Sequence, residues 1–267
     1  MCAVVAVNEA LGKPISVLRW SVVRLVFPTV TSQGIRVGLF HNWQVGDGRE
    51  RAVLLYVLEN ATQGDPQSVA DAIDEYALEQ AVLINIGDEK GQLLDDIVER
   101  ERPKLYLELG AYIGYSAVRT GALLQRHGGR LVSVEFNQQN AFIAQTIVNY
   151  AGLGDTVTVV HGYLGDGGAT VKRLEKQYGF GKGALDFALL DHAKEAYLPD
   201  LKTILSKGWL RAGSVVCADN MRVPGVPDYA EYMRRGEGKR LFRTVEHEAH
   251  LEYSILIKDM LMESVVL

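Results

Sequence analysis

Apolar residues in the first part of the chain recur at helical spacing. From residue 49 to Pro103 they follow a repeat of three to four residues, which is typical of helices packed on a core. Asp65 is predicted to be an N-cap, with Pro66 at the first helical position, and Pro103 stops the last of these segments. The pattern predicts three helices, over 49–61, 64–80 and 88–102.

After Pro103 the spacing changes, and short apolar runs alternate with segments of helical length. The runs predict strands over 104–109, 130–136, 156–162, 184–191 and 213–220. The segments between them predict helices over 115–127, 138–152, 169–179 and 198–208. This alternation indicates an α/β protein whose parallel sheet is covered on both faces. A helix over 229–235 and two closing strands, over 240–248 and 251–259, complete the prediction.

Polar residues follow the predicted strands at the points where these strands end. In parallel sheets, ligands bind at the carboxyl ends of the strands. The candidate positions at that edge are residues 108–116, Glu135, Gly162, residues 191–194, Asp219 and Asn220.

The stretch "LELGAYIGYS" (107–116) is predicted to be a ligand-binding turn. Glu135, at the end of the next strand, suits a carboxylate that binds the two ribose hydroxyls of a nucleoside, although an exposed strand-end glutamate is the plainer alternative. The turn lacks the third glycine of a dinucleotide loop, which argues against a nicotinamide dehydrogenase. Ser116 could donate to the carboxylate of an amino-acid tail. The sequence therefore favours S-adenosylmethionine (SAM).

Asp191, Asp219 and Asn220 supply two carboxylates and one amide oxygen at neighbouring strand ends. Hard oxygen ligands of this kind suit Mg²⁺. The alternative for each aspartate alone is an N-cap or a turn. Lys194 follows Asp191 by three residues and is a candidate base, with a solvated surface lysine as the alternative.

Composition excludes some classes of protein. The 267 residues carry 28 Lys and Arg against 33 Asp and Glu, a net charge of −5, so neither nucleic-acid binding nor general membrane adhesion is expected. Two cysteines, one of them Cys217 in an apolar run, indicate a reducing, cytoplasmic environment rather than a disulfide framework.

Residues 1–48 are predicted to be an extension and residues 49–267 the folded domain. Segment 14–27 is apolar, but Arg19 and Arg24 interrupt it. Its spacing predicts a helix that packs on the domain or on a partner; an interfacial membrane helix and a cleaved leader are the alternatives.

Motifs spread over residues 50–260 resemble the catechol O-methyltransferases. They are "GDPQSVADAIDEY", "NIGDEKGQ", "LELGAYIGYSAVR", "NYAGLGDTVT", "LLDHAKEAYLPD", "WLRAGSVVCADN", "VPGVPDY" and "LEY". The resemblance implies the Rossmann-like fold of SAM-dependent methyltransferases, with a mostly parallel seven-stranded sheet. It also implies a monomer that transfers a methyl group from SAM to a small catechol with the help of Mg²⁺.

Residue roles follow from the resemblance. Lys194 matches the general base, and Glu252 the residue that binds the second catechol hydroxyl. Asp191, Asp219 and Asn220 match the metal ligands, and Pro224 a wall of the substrate cleft, in which Lys194, Asn220 and Glu252 also lie. The positions that match the cofactor pocket are Ile86, Glu108, Gly110, Tyr112, Tyr115, Ser116, Glu135, Phe136, Gly162, Asp191 and His192.

The chain departs from the family pattern at three places. Val82 and Ala193 replace aromatic residues, and Leu164-Gly165 replaces a polar pair at the adenine edge. Phe136, Tyr163 or Trp209 could compensate. These changes predict an altered substrate or cofactor preference, and they leave a catalytically inactive binding or chaperone-like partner as the alternative function.

Overall fold

The computed structural model describes residues 46–267. Segment 14–27 and nearly all of the predicted extension lie outside the described residues. The predicted boundary at residue 48 stays a prediction. Within residues 46–267 no helix is long and apolar enough to cross a membrane.

The described elements begin with three helices, as the spacing of the apolar residues predicts. The helices are α1 (Arg49–Asn60), α2 (Pro66–Glu79), α3 (Gly87–Glu101), α4 (Tyr115–His127), α5 (Gln138–Tyr150), α6 (Ala169–Gln177), α7 (Tyr197–Ser206), α8 (Pro227–Arg234) and α9 (Gly238–Leu241). The strands are β1 (Leu105–Leu109), β2 (Arg130–Glu135), β3 (Val157–His161), β4 (Leu185–Leu190), β5 (Leu210–Ala218), β6 (Phe242–His250) and β7 (Lys258–Val266).

The seven strands form one sheet in the order β3-β2-β1-β4-β5-β7-β6. Strands β1 to β5 run parallel, and β7 pairs antiparallel with both β5 and β6. The predicted fold class, a mostly parallel seven-stranded sheet flanked by helices, is confirmed.

Each face of the sheet has its own core because successive side chains of a strand point to opposite faces. Tyr106 and Phe187 belong to the cluster under α1 to α5, whereas their neighbours Leu107 and Ala188 belong to the cluster under α6 to α8. Both faces are therefore buried, which explains why the central strands read as nearly continuous apolar runs.

One predicted strand is wrong. Residues 251–257 form a loop between β6 and β7, and the last strand starts at Lys258. Tyr253 adopts a left-handed backbone with φ 53°, which interrupts an extended chain. The hydroxyl of Ser254 accepts hydrogen bonds from the backbone N–H groups of Leu256 (3.2 Å) and Ile257 (3.1 Å), which closes the turn.

Gly110 brings two strand ends into contact. A Cβ atom at this position would lie 2.2 Å from the carbonyl oxygen of Asp191, and the backbone has φ 99°. Only glycine fits such a close approach with a left-handed backbone. The turn after β1 therefore lies directly against the residue that follows β4.

Candidate active site

Four carboxylates meet at the carboxyl edge of the sheet. Asp191 and Asp219 follow β4 and β5, Glu252 lies in the β6–β7 loop, and Asp259 lies in β7. We call these four residues the acidic cluster. Asp219 and Asp259 are fully buried, and Lys90 of α3, also fully buried, lies among them.

The ammonium group of Lys90 donates to three members of the acidic cluster. Its Nζ lies 2.7 Å from Glu252 Oε1 and 2.7 Å from Asp259 Oδ2. Both oxygens of Asp219 lie 2.9 Å from Nζ, but only Oδ2 has hydrogen-bond geometry, and Oδ1 is buried without a hydrogen-bond partner. All three protons of the lysine are thus used.

Asn220 holds the same two carboxylates from another side. Its Nδ2 donates to Glu252 Oε1 at 2.9 Å and to Asp259 Oδ2 at 3.0 Å. Because the amide nitrogen makes both bonds, the side-chain oxygen of Asn220 is the atom left to bind a ligand. The residue is in the left-handed region, with φ 56°.

Asp259 also fixes the segment that carries Pro224. Its Oδ1 accepts hydrogen bonds from the backbone N–H groups of Arg222 (3.1 Å) and Val223 (3.0 Å). Pro224 follows directly, after a cis peptide bond. The predicted wall of the substrate cleft is therefore tied to the acidic cluster.

The protonation of the cluster reflects its crowding. Burial raises the pKa of Asp219 to about 8, with Lys90 opposing the rise and Asp191 and Glu252 adding to it. Burial likewise raises the pKa of Asp191 to about 6, with Lys194 and Lys90 opposing. Burial disfavours the charged form of Lys90, but the surrounding carboxylates outweigh it and hold its pKa well above the usual range.

Lys194 overhangs the cluster, as predicted. Its Nζ donates to Asp191 Oδ1 at 3.2 Å and to the hydroxyl of Tyr197 at 2.8 Å. Tyr197 in turn donates to the backbone oxygen of Asp219 at 3.3 Å. The amino group is therefore held between the ends of β4 and β5.

His192 packs against Tyr197, with ring centroids 5.0 Å apart and an interplanar angle of 20°. Its Nε2 lies 3.0 Å from Asp200 Oδ2, and its Nδ1 is buried without a hydrogen-bond partner. Burial lowers the pKa of His192, with Asp200 acting in the opposite direction. The lowered pKa favours the neutral ring, in which Nδ1 could serve a ligand.

The glycine turn leads into the N-terminus of α4. Gly114, with φ 86°, directly precedes the helix. The backbone N–H groups of residues 115–117 come before the first intrahelical bond, from Val118 N to Gly114 O at 2.9 Å. Such N–H groups and the helix dipole favour an anionic group.

Glu108 lies fully buried beneath this turn, where Ser116 and Ser133 donate hydrogen bonds to it. Burial raises the pKa of Glu108 to about 7, against the effect of the two serine hydroxyls. The hydroxyl of Ser116 is directed to Glu108, so its predicted donation to an amino-acid tail is not made in this arrangement.

Glu135 is buried, and backbone N–H groups donate hydrogen bonds to its carboxylate. Its Oε2 accepts from the N–H of Tyr112 at 2.9 Å, and its Oε1 accepts from the N–H of Asn137 at 2.8 Å. Each oxygen keeps a further lone pair for a ribose hydroxyl. The side chain of Tyr112 packs in the core, and its hydroxyl donates to Glu50 of α1 at 3.2 Å. Tyr112 thus contributes to this end of the site through its backbone.

An aromatic surface borders Glu135. The ring of Phe136 is 71% exposed and meets Tyr163 edge-on, with centroids 5.3 Å apart. Together with Gly162, His161 and Arg173 they line a cavity of about 420 Å³. A Cβ at Gly162 would lie 2.2 Å from Thr170 Oγ1, so glycine is required where the chain turns into this cavity.

The remaining predicted residues lie near the cluster or within the core. Ile86 and Tyr115 are buried in the core at the starts of α3 and α4. Ala193 is exposed beside Lys194, and the backbone oxygen of Val82 accepts from Arg49 at 2.5 Å.

Leu164 is buried, and Trp209 is fully buried against Phe180. Trp209 therefore cannot line the pocket, which leaves Phe136 and Tyr163 as the compensating aromatics.

Lys90 and Asp259 are the site residues that the sequence analysis missed. Lys90 shares the buried face of α3 with Leu94 and Ile97, at spacings of four and seven residues. A lysine on the apolar face of a helix was the available signal, because such a residue is seldom fully buried unless it is paired. Asp259 lies at the second position of a strand and gave no comparable signal.

Within residues 46–267, no group of three or more His, Cys, Asp or Glu side chains is arranged as a metal site. The predicted metal ligands, Asp191, Asp219 and Asn220, include only two side chains of these types, because Asn220 contributes an amide. Its chemistry nevertheless fits a hard divalent cation. Asp219 Oδ1 is buried without a hydrogen-bond partner, and the oxygen of Asn220 is the atom left for a ligand.

Comparisons with known proteins agree on one family. A family model described as O-methyltransferase matches residues 60–257. The chain is 50% identical over 221 residues to a protein of Mycobacterium tuberculosis named "Probable O-methyltransferase", covering 83% of this chain and 93% of that one. It is 43% identical over 219 residues to the catechol O-methyltransferase of Bos taurus, covering 82% and 77% of the two chains. The fold matches an O-methyltransferase from Bacillus cereus, solved in complex with SAH, with a TM-score of 0.57 and 21% identity, over 90% of this chain and 99% of that one.

Proposed function

The chain belongs to the O-methyltransferase family, and from that premise we propose that it transfers a methyl group from SAM to one hydroxyl of a catechol. The observation that carries this proposal is the convergence of Asp191, Asp219, Asn220, Lys194 and Glu252 at one edge of the sheet. The similarity to catechol O-methyltransferases supports the choice of acceptor.

SAM would bind along the ends of β1, β2 and β3. The first turn of α4 offers backbone N–H groups to the carboxylate of the methionine part. Glu135 has lone pairs available for the ribose hydroxyls, and Phe136 and His192 offer aromatic faces to adenine. The exposed Phe136–Tyr163 pair would replace the polar contacts that Leu164 and Gly165 cannot make.

Mg²⁺ would be held by the carboxylates of Asp191 and Asp219 and the amide oxygen of Asn220. When bound, it would lower the pKa of a coordinated hydroxyl. With all four carboxylates ionised and both lysines protonated, the acidic cluster, Lys90 and Lys194 together carry two negative charges. The raised pKa of Asp219 reflects the cost of that fully ionised state in the absence of a further cation. A divalent cation would balance that charge.

The side chains of this chain would then orient the acceptor. In this proposal, Lys194 would take the proton from the hydroxyl that becomes methylated. Glu252 Oε1 accepts hydrogen bonds from Lys90 and Asn220, so Oε2 is the oxygen left for the second hydroxyl of the catechol. Burial of the cluster keeps these groups in a dry, preorganised environment, where positioning contributes most to the rate.

The decisive experiment measures methyl transfer from SAM to catechol, with Mg²⁺ and with a chelator, for the wild type and for Lys194→Ala. Loss of a general base should lower kcat about 10²–10⁴-fold, while the dissociation constant of SAM stays unchanged. Lys176→Ala, which removes an exposed lysine of α6, is the matched control.

Phenol, which has a single hydroxyl, tests the acceptor class. We expect catechol to be methylated and phenol not, because Glu252 and the metal each need a hydroxyl. Equal turnover of both acceptors would contradict the catechol assignment while leaving methyl transfer intact. Tight SAM binding without turnover of any acceptor would favour the alternative, an inactive binding partner.

A further inference from the structure

A buried carboxylate outside the acidic cluster joins the two halves of the candidate site. Asp74 of α2 is 3% exposed. Its Oδ2 accepts a hydrogen bond from the hydroxyl of Tyr115 at 3.0 Å, and its Oδ1 accepts one from the hydroxyl of Tyr253 at 2.9 Å. These tyrosines lie 138 positions apart in the chain, at 115 and 253.

Both tyrosines are adjacent in sequence to a residue of the candidate site. Tyr115 is the first residue of α4 and is followed by Ser116, which contacts Glu108. Tyr253 follows Glu252, the proposed acceptor-binding residue. A shift of either phenol would therefore move the first turn of α4 or the carboxylate of Glu252.

The surroundings of Tyr115 fix the direction of its hydrogen bond to Asp74. Arg119 donates to the oxygen of Tyr115 at 2.9 Å, so the hydroxyl proton of Tyr115 is directed to Asp74. Arg119 is itself held by Asp95, at 2.6 Å and 3.0 Å. Burial and the nearby Asp74 raise the pKa of Tyr115 and of Tyr253 well above the usual range, so both remain phenols that donate.

The loop that carries Glu252 depends on this anchor. Tyr253 adopts a left-handed backbone with φ 53°, which is unfavourable for a tyrosine and persists where the surroundings hold it. The loop also packs closely on the start of α3, where a Cβ at Gly87 would lie 3.2 Å from the Cα of Glu252. The Tyr253 hydroxyl donates to Asp74, which ties the side chain of this loop residue to α2.

We propose that Asp74 is a positioning residue that fixes Glu252 relative to the cofactor turn by holding Tyr253 and Tyr115 together. This inference rests on the proposed function. It assigns α2, which contributes no residue to the acidic cluster, a role in setting the distance between the acceptor and the methyl donor.

Variants that remove the hydroxyl of one tyrosine at a time test the acceptor side and the cofactor side of the site separately. Loss of one buried hydrogen bond corresponds to roughly a fivefold change in an equilibrium constant. Tyr253→Phe should raise the KM for catechol about fivefold and leave the dissociation constant of SAH unchanged. Tyr115→Phe should raise the dissociation constant of SAH by a similar factor, and Asp74→Ala, which removes both accepting oxygens, should produce both effects. SAH binding is measured by titration calorimetry, without turnover.

Tyr229→Phe is the matched control. The hydroxyl of Tyr229 is buried like the other two but has no hydrogen-bond partner among residues 46–267, so its removal should change neither constant. In the Asp74→Ala background, Tyr115→Phe and Tyr253→Phe should have little further effect, because the carboxylate that both hydroxyls bind is already absent.

Two outcomes would overturn the inference. One is a fall in Tm for all three variants with unchanged KM and SAH affinity, which would make the network merely structural. The other is an equal effect of Tyr253→Phe and Tyr229→Phe on KM. If the wild type does not methylate catechol, the proposed acceptor fails, but SAH titration still decides: unchanged affinity in both Asp74→Ala and Tyr115→Phe overturns the positioning role.

Discussion

At Lys90 a single ammonium group is shared by Asp219, Glu252 and Asp259. Burying this cation is unfavourable unless all its protons are bonded and its charge is balanced. The arrangement makes α3 part of the site, because the lysine orients one proposed metal ligand and one proposed acceptor-binding residue at the same time.

Lys90→Met should therefore destabilise the protein by about 3–5 kcal/mol, the usual cost of leaving buried charges uncompensated. Adding Asp259→Asn should recover part of this loss, because one of the stranded charges is removed. Urea unfolding of the two single variants and the double variant measures the coupling. Strictly additive losses would show that the two side chains do not interact.

Glu108 gives a pH-dependent prediction. Its pKa rises from 4.5 to about 7 on burial, so its contribution to stability is fully present below pH 4.5 and is lost as the pH rises through 7. Glu108→Gln stays neutral. The stability of the variant relative to the wild type should increase between pH 5 and pH 8, by up to roughly 3 kcal/mol.

The measurement for Glu108→Gln is the free energy of unfolding as a function of pH. Glu59→Gln, which changes an exposed glutamate of α1, is the control for the substitution of a glutamate at the surface. A constant difference for Glu108→Gln would contradict a raised pKa of this buried carboxyl in the folded state.

Among the elements, α2 begins as its sequence predicts. Asp65 is the N-cap, and its Oδ1 accepts from the N–H groups of Gln67 (3.0 Å) and Ser68 (3.2 Å). Pro66 occupies the first helical position, where its missing N–H has no cost. The start of the helix that carries Asp74 is thus encoded locally.

Asp65→Ala should lower the free energy of unfolding by about 1 kcal/mol, the typical value of an N-cap. Asp65→Asn keeps the accepting oxygen and should cost much less. Thermal unfolding of both variants checks this. Equal losses would mean that the charge of Asp65, rather than its accepting oxygen, stabilises the helix.

At the β6–β7 connection, the spacing of apolar residues predicted the wrong secondary structure. "LEYSILIKD" alternates as a strand does, yet Tyr253 turns into the core to reach Asp74, and Ser254 closes the turn. Both contacts depend on residues brought together by the fold. Periodicity could not distinguish this loop from a strand, and it placed the last strand seven residues too early.

For the whole molecule, residues 46–267 contain the complete seven-stranded sheet and both of its cores. A variant that begins at residue 46 should therefore fold and bind SAH with a dissociation constant within about twofold of that of the full chain, because that change is well under 1 kcal/mol. Calorimetric titration of both forms checks this. A large loss of affinity would show that residues 1–45 contribute to the site.

The sequence by itself determined the order of the elements, the parallel sheet and the residues at its carboxyl edge. Glycine turns, caps and apolar spacing are local features, so Gly110, Asp65 and the ends of β1 to β5 could be read directly. The same reading placed Asp191, Asp219 and Lys194 near one another, because parallel strands end at a common edge.

Only the tertiary structure decided how the charges are paired. Lys90 and Asp259 lie 169 positions apart, and Asp74 meets Tyr253 from 179 positions away. No local pattern specifies such partners, because ion pairs and hydrogen bonds between distant segments depend on how the helices pack on the sheet. The tertiary structure likewise buried Trp209 in the core and left Phe136 exposed beside Tyr163, although both Trp209 and Phe136 are large aromatic residues.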